Sequence, residues 1–291
     1  MQSKPDLVCG VVAGYAWEQI RPWVSSILQS GFKGDIILFA NNTSPFAIDC
    51  CRNRNVEVVP FNIPADTPQW VLVSKYRYIP LLQFLTKHRT KYRNVIWTDV
   101  VDLIFQTNPS EWLESHTTES TIVASRVCWI IKDEDTFNCQ EARRAFPADF
   151  WWLQNKEILC GGTLAGSIDA MIDALSKIFA ITSVHPNFAD QAVMNYVLHK
   201  AGNFPETTRI YIPNMSEGWA VVCSAFKTAG FWSTIGPDIS HAQAVTDEIP
   251  DFDQKRGIVL TPDGKTPFAI LHQYNRDPFW NHFISKKYAW D

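Results

Sequence analysis

The sequence predicts an α/β fold with a mostly parallel, Rossmann-like central sheet and helices on both faces. Three observations carry that expectation. Short, continuous apolar runs recur along the chain, as in strands buried on both sides. An amphipathic helical stretch separates the first two runs, and parallel strands need a crossover of that kind. A later run, Val95-Ile96-Trp97, leads into Asp99 and Asp102, at the carboxyl end of a strand, where open α/β sheets bind ligands.

Leu7 to Ala13 (LVCGVVA) is the first strand, stopped by Gly14. Ile20, Trp23, Val24, Ile27 and Leu28 fall on one face at helical spacing, and Gly31 ends that helix. Asp35 to Ala40 and Val56 to Val59 are the second and third strands. No G-x-G-x-x-G is present, so a dinucleotide site is not expected. The turns Ala13-Gly14-Tyr15 and Asn41-Asn42 fall at the ligand edge, with Tyr15 either stacked on a base or simply packed.

Ser74 to Leu85 reads as a helix capped by Ser74, which starts or kinks at Pro80. Lys75 and Arg77 stand at its beginning, either facing an anionic ligand or forming a solvated basic turn. In the following strand a carboxylate is costly unless its charge is offset. A shared cation is the simplest explanation of Asp99 and Asp102; the alternative has Asp99 capping a turn and Asp102 in solvent. Glu111 to Glu114 is a short helix and Thr121 to Ser125 a strand. Residues 132–157 read as a polar, irregular flap carrying Phe150-Trp151-Trp152. Gly161 and Gly162 permit close approach of backbone to a ligand. Met171 to Phe179 is an amphipathic helix, and Asn187 to Gln191 opens another, with Val193, Tyr196 and Val197 on its buried face. Asp190 there is either a helix cap or a functional carboxylate. Arg209 to Pro213 is a strand, and residues 244–256 form a solvated acidic loop. A Pro262-Asp263-Gly264 turn leads to the last strand, Phe268 to Leu271, which ends in His272-Gln273-Tyr274-Asn275-Arg276.

Composition narrows the function. With 46% hydrophobic and 19% charged residues, the 291-residue chain is expected to fold around a sizeable core. A net charge of -4 argues against a nucleic-acid protein. No apolar segment is long enough for a transmembrane span or a signal peptide. Seven cysteines without zinc spacing fit free thiols in a reducing, cytoplasmic compartment. There is no repeat or linker, so one domain over 1–291 is expected.

Three segments, in order, resemble one family. Thr98 to Pro109 (TDVVDLIFQTNP) is similar to the "sDvrDvvFQ-x-dPF" signature of nucleotide-sugar-dependent glycosyltransferases of the type A (GT-A) fold. Ile158 to Ser167 resembles their "hNaGviaGs" segment, with Cys160-Gly161 replacing the usual Asn-x pair. Asp190, Gln191 and Asn195 then match "DQ-x-x-x-N". His272 to Arg276 resembles the ending "hvHQYdR", with Asn275 where Asp is usual.

The resemblance implies a donor half to about residue 110 and an acceptor half over about 111–291. It implies a nucleotide-diphospho-sugar donor, a UDP-sugar foremost, and a glycan or other hydroxyl acceptor, which Glu217 and Trp219 of the Asn214 to Trp219 loop would meet. Asp99, Asp102 and His272 would hold Mn²⁺ or Mg²⁺; the alternative for His272 is a core imidazole bonded to backbone. Donor contacts are expected from Ala13, Tyr15, Asn41, Lys75, Arg77, Thr98, Asp99, Gly162, Gln191 and Arg276. Asp190 is the candidate catalytic residue near the anomeric carbon, a base in an inverting enzyme or a holder of the sugar in a retaining one. The motifs match retaining families somewhat better. Two further classes stand beside this: a non-catalytic nucleotide-sugar or carbohydrate-binding protein on the same fold, and a metal-free glycoside hydrolase with paired carboxylates.

Overall fold

A computed structural model describes residues 4–289 except 65, 69–70, 72–74, 135–136, 186, 227–249, 254 and 277. In chain order the elements are β1 (Leu7–Ala13), α1 (Trp17–Gln29), β2 (Asp35–Asn41), α2 (Pro45–Arg52), β3 (Glu57–Pro60), α3 (Tyr78–Lys87), β4 (Asn94–Thr98), β5 (Leu103–Phe105) and α4 (Pro109–His116). There follow β6 (Thr121–Ile130), α5 (Asn138–Ala145), α6 (Phe150–Leu153), β7 (Glu157–Ser167), α7 (Ile168–Val184), α8 (Asp190–His199), β8 (Arg209–Tyr211) and β9 (Ala220–Val222). The chain ends with β10 (Asp251–Asp253), β11 (Ile258–Leu260), β12 (Ile270–His272) and α9 (Pro278–Lys287).

Seven strands form the main sheet in the order β3-β2-β1-β4-β7-β6-β8. β3, β2, β1 and β4 pair in parallel, as do β6 and β8, while β7 runs against both of its neighbours. Alternate residues serve opposite faces, as the strand period of two requires. Val8, Leu38 and Ile96 join the core beneath α1, α2 and α4, whereas Leu7, Ile37, Val95 and Trp97 join the one beneath α3, α7 and α8. A second sheet, β5-β12-β9, sits on a third core that includes Ile104, Val221, Leu271 and Trp280.

The expected strands are present, several of them longer than the apolar runs suggest. Pro80 lies in the first turn of α3, whose first residue is Tyr78; Ser74, the expected cap, lies outside the described residues. Leu28 is 42% exposed and does not share the buried face of α1. The expected flap over 132–157 is replaced by α5 and α6, folded on a small core of Trp129, Ile131, Cys139, Ala142, Leu153 and Ile158. The polar pattern of that stretch concealed an amphipathic helix, because Cys139, Ala142 and Ala145 are small. In the acidic loop, Asp247 and Glu248 lie outside the described residues, and Asp251 and Asp253 belong to the β10–β11 hairpin. No disulfide joins any two of the seven cysteines, and every one except Cys50 is buried. Among the described residues no helix is long and apolar enough to cross a membrane.

Candidate functional site

The carboxyl ends of β1 and β4 carry the site. Asp99 follows β4 directly, and its N–H donates to the Gly162 carbonyl of β7 at 2.8 Å. Asp102 precedes β5, and its carbonyl accepts the Gln273 N–H at 2.7 Å. Register then places the third residue, since β12 pairs antiparallel with β5 and sets His272 opposite Leu103. His272 Nε2 lies 3.4 Å from Asp99 Oδ2 and 3.5 Å from Asp102 Oδ1. One ligand atom from each of the three residues lies within 4.8 Å of the others.

Two features of this corner fit it to hold a cation. His272 is 2% exposed, yet among the described residues its Nε2 makes no hydrogen bond of proper geometry, only the long contacts to the two carboxylates; an unsatisfied buried nitrogen is costly. Two carboxylates and one imidazole form a donor set that suits a divalent ion of the Mn²⁺ or Mg²⁺ kind. Burial opposes the charged form of His272, but Cys160, Asp102 and Asp99 outweigh it and hold the ring well above the usual histidine range. Burial likewise opposes the charge on Asp99, and His272 and Arg77 together lower it below the usual carboxylate range. Both shifts describe a site in which a proton stands where a cation fits.

Gly162 makes room for the cluster. A Cβ there would lie 2.4 Å from His272 Cε1 and 2.6 Å from Asp99 Oδ2. β7 also loses register with β6 between Leu164 and Leu159, and such irregularities re-aim side chains beside sites. Gly162→Ala is therefore expected to cost about 1–3 kcal/mol through overpacking and to abolish any stabilisation by Mn²⁺. Thermal unfolding with and without Mn²⁺ checks this; an unchanged midpoint and an unchanged Mn²⁺ effect would show that the cluster has room to spare.

Beside the three residues lies a buried ion-pair network. Arg77 sits at the N-cap position of α3 without a side-chain capping bond, and its guanidinium instead bonds Asp99 Oδ1 at 3.0 Å, the Gly161 carbonyl at 3.3 Å, and Asp190 Oδ2. It also lies over the Trp97 ring at 4.6 Å. Burial opposes its charge, but Asp190, Tyr78 and Asp99 raise it further above its ordinary value. Arg77 is thus no solvated turn. Asp190 is no cap either: Ala189 occupies that position, and the Asp190 carboxylate accepts from Arg77 and, at 3.0 Å, from Tyr78 OH. Gln191 Oε1 accepts the Gly161 N–H at 2.9 Å and Asn195 grips both backbone groups of Leu159, so α8 is fastened to β7.

The other expected contacts divide. Tyr15 is half-buried and packs against the core beneath α1; burial, then Asp102 and Asp99, raise its hydroxyl. Asn41 binds Phe61 O at 2.8 Å and its carbonyl accepts the Gly14 N–H at 2.9 Å, joining the ends of β1, β2 and β3 beside Ala13. Thr98 is buried, and its hydroxyl accepts from Trp23 Nε1 of α1 at 2.9 Å. Lys75 lies 5.8 Å over the Tyr76 ring, outside the network. Arg276 is exposed on the short turn Tyr274–Arg276 that follows His272. Trp219 is 1% exposed, a core residue rather than an acceptor platform, and Glu217 is taken up by Tyr211 OH and the Asn214 N–H. Sequence reasoning missed Tyr78, the partner of Asp190, and Asn138, which accepts from Gln191 Nε2 at 2.6 Å. Tyr78 carried no signal beyond its place at a helix start.

No known protein family matches the sequence, and no curated protein does. Solved structures do match in fold. An active-site mutant of LgtC superposes with a TM-score of 0.58 at 12% identity, covering 97% of this chain and 95% of that one. Galactosyltransferase LgtC in complex with donor and acceptor sugar analogues gives 0.54 at 9% identity, covering 97% and 94%. The bifunctional glycosyltransferase WbbM gives 0.52 at 13% identity over 76% of this chain, which spans only 40% of WbbM. The chain has the type A fold of these glycosyltransferases.

Proposed function

We propose that the chain is a metal-dependent glycosyltransferase that moves a sugar from a nucleotide-diphospho-sugar, a UDP-sugar foremost, to a hydroxyl of a glycan. The observation that carries the reading is the meeting of Asp99, Asp102 and the unsatisfied His272 Nε2 at the sheet edge, next to the Arg77–Asp190 pair. Asp99, Asp102 and His272 would hold the ion, and a divalent ion bound there neutralises charge on a departing diphosphate. In the transfer the acceptor oxygen bonds the anomeric carbon, the carbon–oxygen bond to the diphosphate breaks, and its electron pair leaves with the diphosphate.

Asp190 decides where the acceptor proton goes. Its Oδ2 already accepts from Arg77 and from Tyr78 OH, an arrangement that suits holding a sugar hydroxyl more than taking a proton. That favours the retaining course, in which Asp190 orients the sugar and the leaving phosphate takes the proton. Tyr15, Ala13 and Asn41 line the end of the sheet proposed to take the nucleoside, within a donor half of about residues 1–110, with Gly162, Gln191 and Arg276 contributed from the acceptor half. Mostly buried cysteines that form no disulfide support a cytoplasmic setting.

The test is thermal unfolding with nucleotide-diphospho-sugars and Mn²⁺, followed by an assay for nucleotide release. A raised midpoint that needs both ligands, with release abolished by chelator, is expected. The Mn²⁺ effect should grow as pH rises above the usual histidine range, because the raised His272 must lose its proton to bind the ion. Binding without release would favour a non-catalytic binding protein on the same fold. Release indifferent to chelator would remove the metal from the reading.

A further inference from the structure

Cys160 stands behind the ring of His272, on the side away from the aspartates. Its sulfur lies 3.0 Å from His272 Nδ1, and both residues are 2% exposed. On the other side of the ring, Nε2 is buried, makes no hydrogen bond of proper geometry among the described residues, and faces Asp99 and Asp102 at 3.4 and 3.5 Å. A neutral imidazole carries one proton. The nitrogen that meets a cation must present its lone pair, so the proton belongs on the other nitrogen, and a buried N–H there needs an acceptor. Cys160 Sγ is the partner that nitrogen has among the described residues.

We propose that Cys160 is a positioning residue for His272: its sulfur accepts the Nδ1–H and fixes the ring in the tautomer whose Nε2 faces Asp99 and Asp102. The inference rests on the cation-binding reading given above and assigns a role to the position at which this chain departs from the resembled motif. The irregular stretch of β7 supplies both halves of the seat. Cys160 meets one edge of the ring, and Gly162, lacking a side chain, leaves space at the other. Outer partners of this kind hold ligand orientation and raise ligand basicity. A thiol is a weaker acceptor than a carbonyl, so its closeness and burial, rather than its strength, make the selection.

The experiment titrates Mn²⁺ alone, followed by paramagnetic resonance, into the wild type, Cys160→Val, Cys160→Ser and Asp102→Asn. Cys160→Val removes the acceptor and is expected to weaken Mn²⁺ binding about 10- to 100-fold, while Cys160→Ser restores an acceptor and stays within a few-fold of wild type. Weakening by Asp102→Asn together with wild-type affinity in Cys160→Val would overturn the role of Cys160 and leave the cation site standing. Wild-type affinity in both, or no Mn²⁺ binding by the wild type, would overturn the two together. A second measurement needs no variant: long-range ¹H–¹⁵N spectra of the Zn²⁺-loaded wild type report which nitrogen of His272 bears the proton. Nδ1 is expected to bear it, and a proton-free Nδ1 would overturn the proposal.

Discussion

Asp102→Asn is expected to lower sugar transfer or donor hydrolysis at limiting Mn²⁺ by about 10²- to 10³-fold, the scale on which single preorganised electrostatic groups act. The substitution keeps the shape of the side chain and removes its charge. It also leaves the joint between β5 and β12 intact, because the Gln273 N–H bonds the main-chain carbonyl of Asp102 rather than its carboxylate. Loss of rate should thus come without loss of fold, and raising Mn²⁺ should recover part of it. Wild-type turnover in limiting Mn²⁺ would take Asp102 out of the metal site.

Asp190→Asn is expected to reduce turnover by about 10²- to 10⁴-fold at saturating donor, the range for a residue at the reacting centre. Its position complicates the simplest version of that result. Arg77 joins Asp190 to Asp99, so losing one carboxylate leaves a buried guanidinium with a single counter-charge. Breaking one side of a buried pair destabilises the protein, by up to about 3–5 kcal/mol when the partner is removed outright. Nucleotide affinity should therefore fall a few-fold alongside the larger drop in kcat. Steady-state kinetics on the folded variant separate the two. Normal kcat with weakened nucleotide binding would confine Asp190 to supporting Asp99.

The parallel half of the sheet was legible because its strands are continuous apolar runs with turns between them, as in Leu7 to Ala13 and Asp35 to Asn41. β7 was harder to read. Gly161 and Gly162 lower strand propensity, so an eleven-residue strand read as a ligand-binding glycine segment. Asp99, Asp102 and His272 were nameable from motif order, but what connects them was not. The contact of Arg77 with Asp190 spans 113 residues and that of Cys160 with His272 spans 112. Local periodicity carries no information across such separations. Trp219 shows the opposite error, since an aromatic in a polar loop looks exposed until β9 and α4 close around it.

The small sheet has a consequence for how the chain is made. β5 pairs with β12, and the next residue, Gln106, donates its side-chain amide to Phe268 O, 162 residues further along. During synthesis the parallel strands β1 to β4 can pair as soon as they leave the ribosome. Leu103-Ile104-Phe105, wholly buried in the finished protein, must wait for nearly the whole acceptor half to be translated. For that interval it is an apolar strand with an open edge, the kind of segment on which nascent chains aggregate. Asp102 precedes it directly in sequence, and its charge, unmatched until His272 arrives, helps to keep such an edge in water.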